Sequence, residues 1–180
     1  MARDGRRGRK AFEKDQDELD ERVVDITRVA TVVKGGRRFS FRVVAVVGDN
    51  KGRVGMGMGK ARAVPDAIRK ATERARRDMQ PIALVQTTIP HEVIGRCGGA
   101  KVLLRPAAPG AGVIASGSVR ALVEALGVRD VLTKSQGSSN VVNVVRAAMD
   151  GLTQLRRVED VARERGVPEA KVMPFWRRGR

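Results

Sequence analysis

The first half of the chain alternates apolar and polar residues in the way that short β-strands do. β-Branched residues dominate from Val23 to Val33, and Gly35-Gly36 interrupt this run. The segment Asp49–Gly52 has the composition of a turn, and a third strand is predicted from Arg53 to Gly59. Between them we expect a strand from Arg38 to Val47, whose apolar face consists of Phe39, Phe41, Val43, Ala45 and Val47.

The apolar spacing then changes to that of a helix. Pro65 suits the first turn of a helix that we expect to end near Met79. The glycines that alternate along the third strand would let another surface approach its backbone closely. Three antiparallel strands and one covering helix would make a complete small domain. The inner stripe of that helix is predicted to be Ala67, Ile68, Ala71 and Ala75.

A second unit that mixes strands and helices is predicted after Pro81. Its elements are strands near Ile89–Arg96 and Lys101–Ala107, a helix over Ser116–Leu126 ended by Gly127, a strand over Asp130–Lys134 and a helix over Asn140–Leu155. A short helix over Val158–Arg165 and a polar tail follow. The predicted fold class is therefore α+β. We divide the chain into a flexible basic arm (1–21), a first domain (22–85), a second domain (86–156) and a C-terminal extension (157–180).

The net charge of the chain indicates the class of partner that it binds. The formal net charge is +16, and the isoelectric point is about 11.4. The segment from Arg28 to Asp78 contains fourteen Lys or Arg and four Asp or Glu, so it carries +10 of the net charge. Such a concentration on one compact unit is typical of a surface that binds a polyanion. Nucleic acid is the leading partner, and a membrane surface is a distant second.

Composition also excludes several classes. The chain has no Tyr and one Trp, so base stacking on exposed rings is disfavoured, and recognition of folded or double-stranded RNA is favoured. Cys97 is the only cysteine, which excludes an internal disulfide and a multi-cysteine zinc site. No apolar run approaches the roughly 18 residues of a membrane span, and no secretory signal is visible. We expect a cytoplasmic protein. Residues 13–25 form an acidic stretch that we expect to face protein or solvent.

The glycine-rich segments do not support an enzyme. Gly59-Lys60 resembles the end of a P-loop, but Val54 stands where the required glycine would be. The segment from Gly110 to Ala115 fits the loose dinucleotide fingerprint, and Asp130 lies twenty residues further on. That acid is predicted at the start of a strand, however, whereas a ribose-binding acid belongs near the end. His91 is the only histidine. We therefore expect no catalytic residue, no cofactor, no metal and no small-molecule substrate.

Two long motifs resemble one known family. GGRRFSFRVVAVVGDNKGRVGMGMGKARAVPDAIRKA, residues 35–71, is similar to the signature of the fifth protein of the bacterial small ribosomal subunit (S-five). The segments IPHEVIGR, VLLRPAAPGAGVIASGSVRALVEALGV, DVLTKS and NVVRAAMDGL agree with the same family, in the same order. The resemblance covers roughly Val23 to Leu155.

The resemblance implies a fold, a place and partners. It implies an N-terminal domain similar to the double-stranded-RNA-binding fold and a C-terminal βαβα domain with a left-handed crossover. It also implies a structural role in the small ribosomal subunit, where the family binds rRNA, steadies the head against the body, affects decoding accuracy and helps line the path by which mRNA enters. The neighbours would be ribosomal proteins S-four and S-eight.

The predicted contact residues follow from the charged segments and from the resemblance. Cations paired with glycines let the backbone approach phosphates closely. The residues predicted to bind rRNA are Lys34, Gly35, Gly36, Arg37, Arg38, Arg42, Lys51, Arg53, Lys60 and Arg62. The resemblance places Gly110, Gly112 and Arg120 on the S-four side and spectinomycin resistance in the loop of Lys34, Gly35 and Gly36. The alternative hypothesis is a free-standing RNA chaperone or a regulatory duplex-RNA-binding module.

Overall fold

The first sheet is antiparallel and begins near the N-terminal limit of the computed structural model, which describes residues 19–173 and residue 176. The predicted basic arm lies almost wholly outside the described residues, but Asp20 and Glu21, its last two residues, already belong to the first strand. The order in the sheet is β1-β2-β3-β4, so a short fourth strand joins the three that were predicted. The strands are β1 (Asp20–Val33), β2 (Gly36–Gly48), β3 (Arg53–Ala61) and β4 (Gln80–Pro81).

Helix α1 (Val64–Arg77) covers one face of this sheet and explains the alternating glycines of β3. A Cβ atom on Gly55, Gly57 or Gly59 would lie 2.2, 2.0 or 2.1 Å from a backbone carbonyl oxygen of α1. The surface that approaches β3 is therefore this helix. Three of the four residues of the predicted inner stripe are buried; Ile68 is half-buried, and Thr72 is buried in addition.

The second sheet is mixed, and with its helices it is consistent with the predicted α+β class. Its order is β5-β6-β8-β7, and only the β7–β8 pair is parallel, because the chain crosses over through a helix between those two strands. The two-residue β7 was not predicted, β5 begins later than predicted, and β8 extends past Lys134. The elements are β5 (Val93–Cys97), β6 (Ala100–Pro106), β7 (Val113–Ile114), α2 (Gly117–Leu126), β8 (Val131–Gly137), α3 (Val141–Thr153), α4 (Val158–Arg165) and α5 (Glu169–Val172).

One apolar core runs through both halves of the molecule. Val46 and Val54 of the first sheet belong to the same buried cluster as Leu122 and Leu126 of α2. Residues 43–47 of β2 are all fully buried, because α1 covers one face of the sheet and α2 covers the other. The prediction of a single apolar face on β2 was therefore incomplete.

The turn between β2 and β3 joins the first sheet to the end of α2. The backbone N–H groups of Asn50 and Gly52 donate to the carbonyl oxygens of Ala125 and Leu126, each at 3.1 Å. A Cβ atom on Gly48 would lie 2.0 Å from the Ala125 carbonyl oxygen, so only glycine allows this approach. At this turn the first sheet and α2 therefore meet through backbone contacts, which are less adaptable than contacts between side chains.

Candidate nucleic-acid interface

The hairpin of β1 and β2 extends beyond the rest of the first sheet. Pairing between β2 and β3 begins at Phe41, so residues 36–40 pair with β1 alone. Five strand residues reach about 17 Å at about 3.4 Å each. The turn is Lys34-Gly35, and the φ of +89° at Gly35 explains the glycine. We call residues 28–40 the hairpin ribbon.

The cations of the hairpin ribbon point into solvent. Residues 31–39 are all exposed. Arg28 lies over the ring of Phe39, with 3.7 Å between its guanidinium carbon and the ring centroid, which orders one side of the ribbon. Among residues 19–173, no carboxylate forms an ion pair with Lys34, Arg37 or Arg38. Their charge is therefore not neutralised within the described part of the chain.

A second group of cations continues from the base of the ribbon across the sheet. Arg42 lies opposite Thr27 on one side and Lys60 on the other, so these side chains share one face. The Nε atom of Arg42 is buried and has no hydrogen-bond partner among the described residues. Lys60 and Arg62 are exposed. The structure therefore brings eight of the ten predicted rRNA-binding residues to one end of the first sheet.

Lys51 and Arg53 lie at the opposite end. Seven residue steps separate Arg53 from Lys60 along β3, which corresponds to about 24 Å. The turn that carries them is fixed by Asp49, whose Oδ1 accepts from the backbone N–H groups of Lys51 and Arg53, both at 2.8 Å. If these two residues contact RNA, they reach a different element from the one that the hairpin ribbon meets.

The outer face of α1 is basic, but the fold uses part of this charge. The guanidinium of Arg76 donates to Glu21 of β1, with 2.9 Å between its Nε and the carboxylate oxygen. Arg74 donates to the carbonyl oxygen of Met58, at 2.6 Å. Lys70 and Arg77 are exposed. Glu21 of the acidic stretch thus faces a cation of the same protein.

The residues predicted to face a protein also lie together. A loop, Pro109–Gly112, connects β6 to β7, and Arg120 of α2 donates to the carbonyl oxygen of Val113, at 3.2 Å. The side chain of Arg120 therefore lies beside the end of this loop. Both Arg120 and residues 109–111 are exposed.

The carboxylate of Asp130 holds that loop through hydrogen bonds. Its Oδ1 accepts from the backbone N–H groups of Gly110, at 2.9 Å, and Gly112, at 3.0 Å. The Gly112 N–H, followed by the Thr87 hydroxyl, holds the pKa of Asp130 below its ordinary value. The dinucleotide interpretation is therefore excluded, because the N–H groups that would face a phosphate bind this carboxylate.

The open face of the second sheet carries cations that the sequence interpretation missed. Alternate residues of β6 and β8 are exposed, and the register puts Arg96 beside Lys101 and Leu103 beside Lys134. Arg105 on the same face pairs with Glu92, at 3.0 Å. Lys101 and Arg105 lie an even number of residues apart in β6 and so point to one face, and this spacing was the signal that could have identified the face.

No catalytic arrangement is found in the described ranges, 19–173 and 176. His91 accepts from the backbone N–H of Arg156 through Nε2, at 3.2 Å, so its Nδ1 carries the proton and donates to the carbonyl oxygen of Glu92, at 3.0 Å. Both ring nitrogens are thus used by the fold. The described residues include no cluster of three potential metal ligands and no helix that is long and apolar enough to cross a membrane.

The two halves of the chain match the two domains of one family. Residues 19–83 match Ribosomal protein S5, N-terminal domain, and residues 95–165 match Ribosomal protein S5, C-terminal domain. The molecule is therefore a structural protein of the small ribosomal subunit that binds rRNA. The chain belongs to the ribosomal protein S5 family, as the motif resemblance predicted.

Proposed function

We propose that this protein joins rRNA to a neighbouring protein through one rigid body, and that it thereby steadies the head of the subunit against the body. The hairpin ribbon, with Arg42, Lys60 and Arg62, is the rRNA surface. The loop Pro109–Gly112 and Arg120 form the surface towards ribosomal protein S-four.

The observation that carries the rRNA assignment is the projection, on a two-stranded ribbon, of cations that pair with no carboxylate among residues 19–173. An isolated two-stranded hairpin is only marginally stable in water. The ribbon also exposes the apolar side chains of Val32 and Phe39, with 75% and 48% of their surface accessible, which makes it less stable in water. A partner that covers the ribbon and neutralises its cations stabilises it, and rRNA supplies both the covering surface and the negative charge.

Helix α2 supplies the connection between the two surfaces. Its first turns carry Arg120, and its last residues accept the N–H groups of Asn50 and Gly52. Arg22 of β1 also bonds Glu124 of this helix and Asp20, and the hydrogen bond to Asp20 is the main cause of its raised pKa. A displacement at the protein-facing loop is therefore transmitted to the first sheet through backbone contacts.

The remaining assignments rest on the family. We assign ribosomal protein S-eight as a further neighbour, mRNA near its path into the subunit as a transient contact, and the cytoplasm as the location. Substitutions at Lys34, Gly35 or Gly36 are proposed to alter spectinomycin sensitivity, because they reshape the tip of the ribbon. Lys51 and Arg53 are proposed to contact a separate rRNA element.

The rRNA surface is tested by the salt dependence of binding to small-subunit rRNA. Each phosphate contact that is lost should lower the log–log slope by about one unit. Arg37→Ala with Arg38→Ala should therefore lower the slope by about two units. The matched control, Arg69→Ala with Lys70→Ala, removes equal charge from α1 and should leave the slope nearly unchanged. Equal slopes for both double variants would refute the assignment to the ribbon.

Cosedimentation separates the proposal from a free-standing RNA chaperone or regulatory duplex-RNA-binding module. A protein held by rRNA and by neighbouring proteins should remain with small subunits through a high-salt wash. A free module bound through phosphates alone should dissociate, because salt weakens such contacts steeply.

A further inference from the structure

Asp130 is buried, and neither the rRNA surface nor the sequence motifs account for it. The residue is 5% exposed. A carboxylate is costly to bury unless its oxygens accept hydrogen bonds. Here the donors are backbone N–H groups of a loop that lies 18 to 20 residues away in the sequence.

The loop that Asp130 bonds has little else to define its shape. Gly110 and Gly112 have φ values of +91° and +75°. A Cβ atom on either glycine would meet nothing within 4 Å, so the loop is not packed against the body of the protein at these positions. Its conformation therefore depends on hydrogen bonds.

Three short segments meet around Asp130. The carbonyl oxygen of Thr87 accepts from the N–H groups of Arg129, at 2.9 Å, and Asp130, at 3.0 Å. The carbonyl oxygen of Gly112 accepts from the N–H of Val131, at 3.1 Å. Asp130 thus connects the exposed loop to the start of β8, a strand that packs in the core.

We infer that Asp130 is the positioning residue of the loop Pro109–Gly112, and that its carboxylate holds the loop in the conformation that meets the protein partner. The inference rests on the proposed function, in which this loop is the surface towards S-four. A loop that is ordered before binding loses less conformational entropy on association, so Asp130 raises the affinity without touching the partner.

Amide hydrogen exchange of the full chain, measured by NMR, tests the first half of this inference. Asp130→Asn should speed exchange at Gly110 and Gly112 by about tenfold or more, because a charged acceptor is lost. The control Asp150→Asn changes a carboxylate that accepts from the N–H of Arg96, at 2.9 Å, and should leave both loop amides unchanged. Unchanged loop exchange in Asp130→Asn would overturn the inference.

A second variant provides the test if Asp130→Asn fails to fold. Thr87→Val removes the hydroxyl that helps to hold the pKa of Asp130 below its ordinary value, and it retains Asp130, so it should speed loop exchange in the same direction, by less. If Asp130→Asn does not fold, the result with Thr87→Val decides, and unchanged loop exchange then overturns the inference.

Binding to purified S-four tests the second half. Asp130→Asn should weaken this binding by about tenfold while the melting temperature falls little, and Asp150→Asn should bind normally. A variant with a mobile loop and unchanged affinity would overturn the functional half of the inference and the proposed protein contact. It would leave the role of Asp130 as the anchor of the loop intact, so the two failures are distinguishable.

Discussion

Two segments of the first sheet share a composition and have different surroundings. The tip of the hairpin ribbon contains Lys34-Gly35-Gly36-Arg37, and the turn between β2 and β3 contains Lys51-Gly52-Arg53. The tip projects into solvent, and a Cβ atom on Gly35 would meet nothing within 4 Å. The turn instead packs against the end of α2 through two backbone hydrogen bonds.

Glycine beside cations therefore does not by itself specify RNA. The last carbonyl groups of a helix lack partners within the helix and carry partial negative charge. A turn that offers N–H groups and positive charge is therefore complementary to a helix end, just as it is complementary to a phosphate. The cations and glycines at the tip of the ribbon remain exposed, whereas the turn uses two of its N–H groups in hydrogen bonds to the end of α2.

The largest expected effect is on stability, and it comes from adding one methyl group beside the turn. The same change at the tip of the ribbon is the comparison. Gly48→Ala, beside the turn, puts a carbon 2.0 Å from the Ala125 carbonyl oxygen and should destabilise the protein by on the order of 3 kcal/mol. Gly35→Ala meets no atom, and its cost comes only from the positive φ, about 1 kcal/mol. Urea unfolding of both variants measures the two costs. Equal losses would show that the turn and α2 are not closely packed.

Much of the fold could be predicted because its signals are local. Pro65 and the alanine spacing placed α1, and Gly127 with a φ of +96° ends α2 where the sequence indicated. The predicted α4, residues 158–165, agrees with the structure. The alternating glycines of β3 predicted a close approach, but the approaching element depends on the fold as a whole.

The site could be predicted only where it is continuous in sequence. The tip of the ribbon is a run of adjacent residues, so its charge and glycines were visible. Asp130 acts on Gly112, eighteen residues away, and was interpreted only as a poor match to a ribose-binding acid. The separation of Lys51 and Arg53 from the ribbon, and the basic face of the second sheet, follow from strand register, which composition does not reveal.

A smaller effect tests how the turn is held. Asp49→Ala removes the acceptor of the Lys51 and Arg53 N–H groups and should cost about 1–2 kcal/mol in the free energy of unfolding. The hairpin ribbon has no comparable carboxylate at its tip. Asp78→Ala is the control, because Asp78 is exposed and its side chain accepts no hydrogen bond within residues 19–173. If both variants lose equal stability, general charge effects rather than the turn contacts would explain the result.

The smallest effect on stability, and the most specific effect on function, is expected at the far end of α2. Arg120 is exposed, and its side chain donates only to the Val113 carbonyl oxygen among the described residues, so Arg120→Leu should change the free energy of unfolding by no more than about 0.5 kcal/mol. If Arg120 pairs with a carboxylate of S-four, and if closing of the decoding site requires that this contact break, then loss of Arg120 makes closing easier. The closed state then becomes more populated even with mismatched tRNA. We expect raised stop-codon readthrough in a reporter assay, with normal assembly of subunits shown to contain the variant. Wild-type error rates would refute the assignment of Arg120 to the protein interface, and a defect confined to assembly would place this residue on RNA.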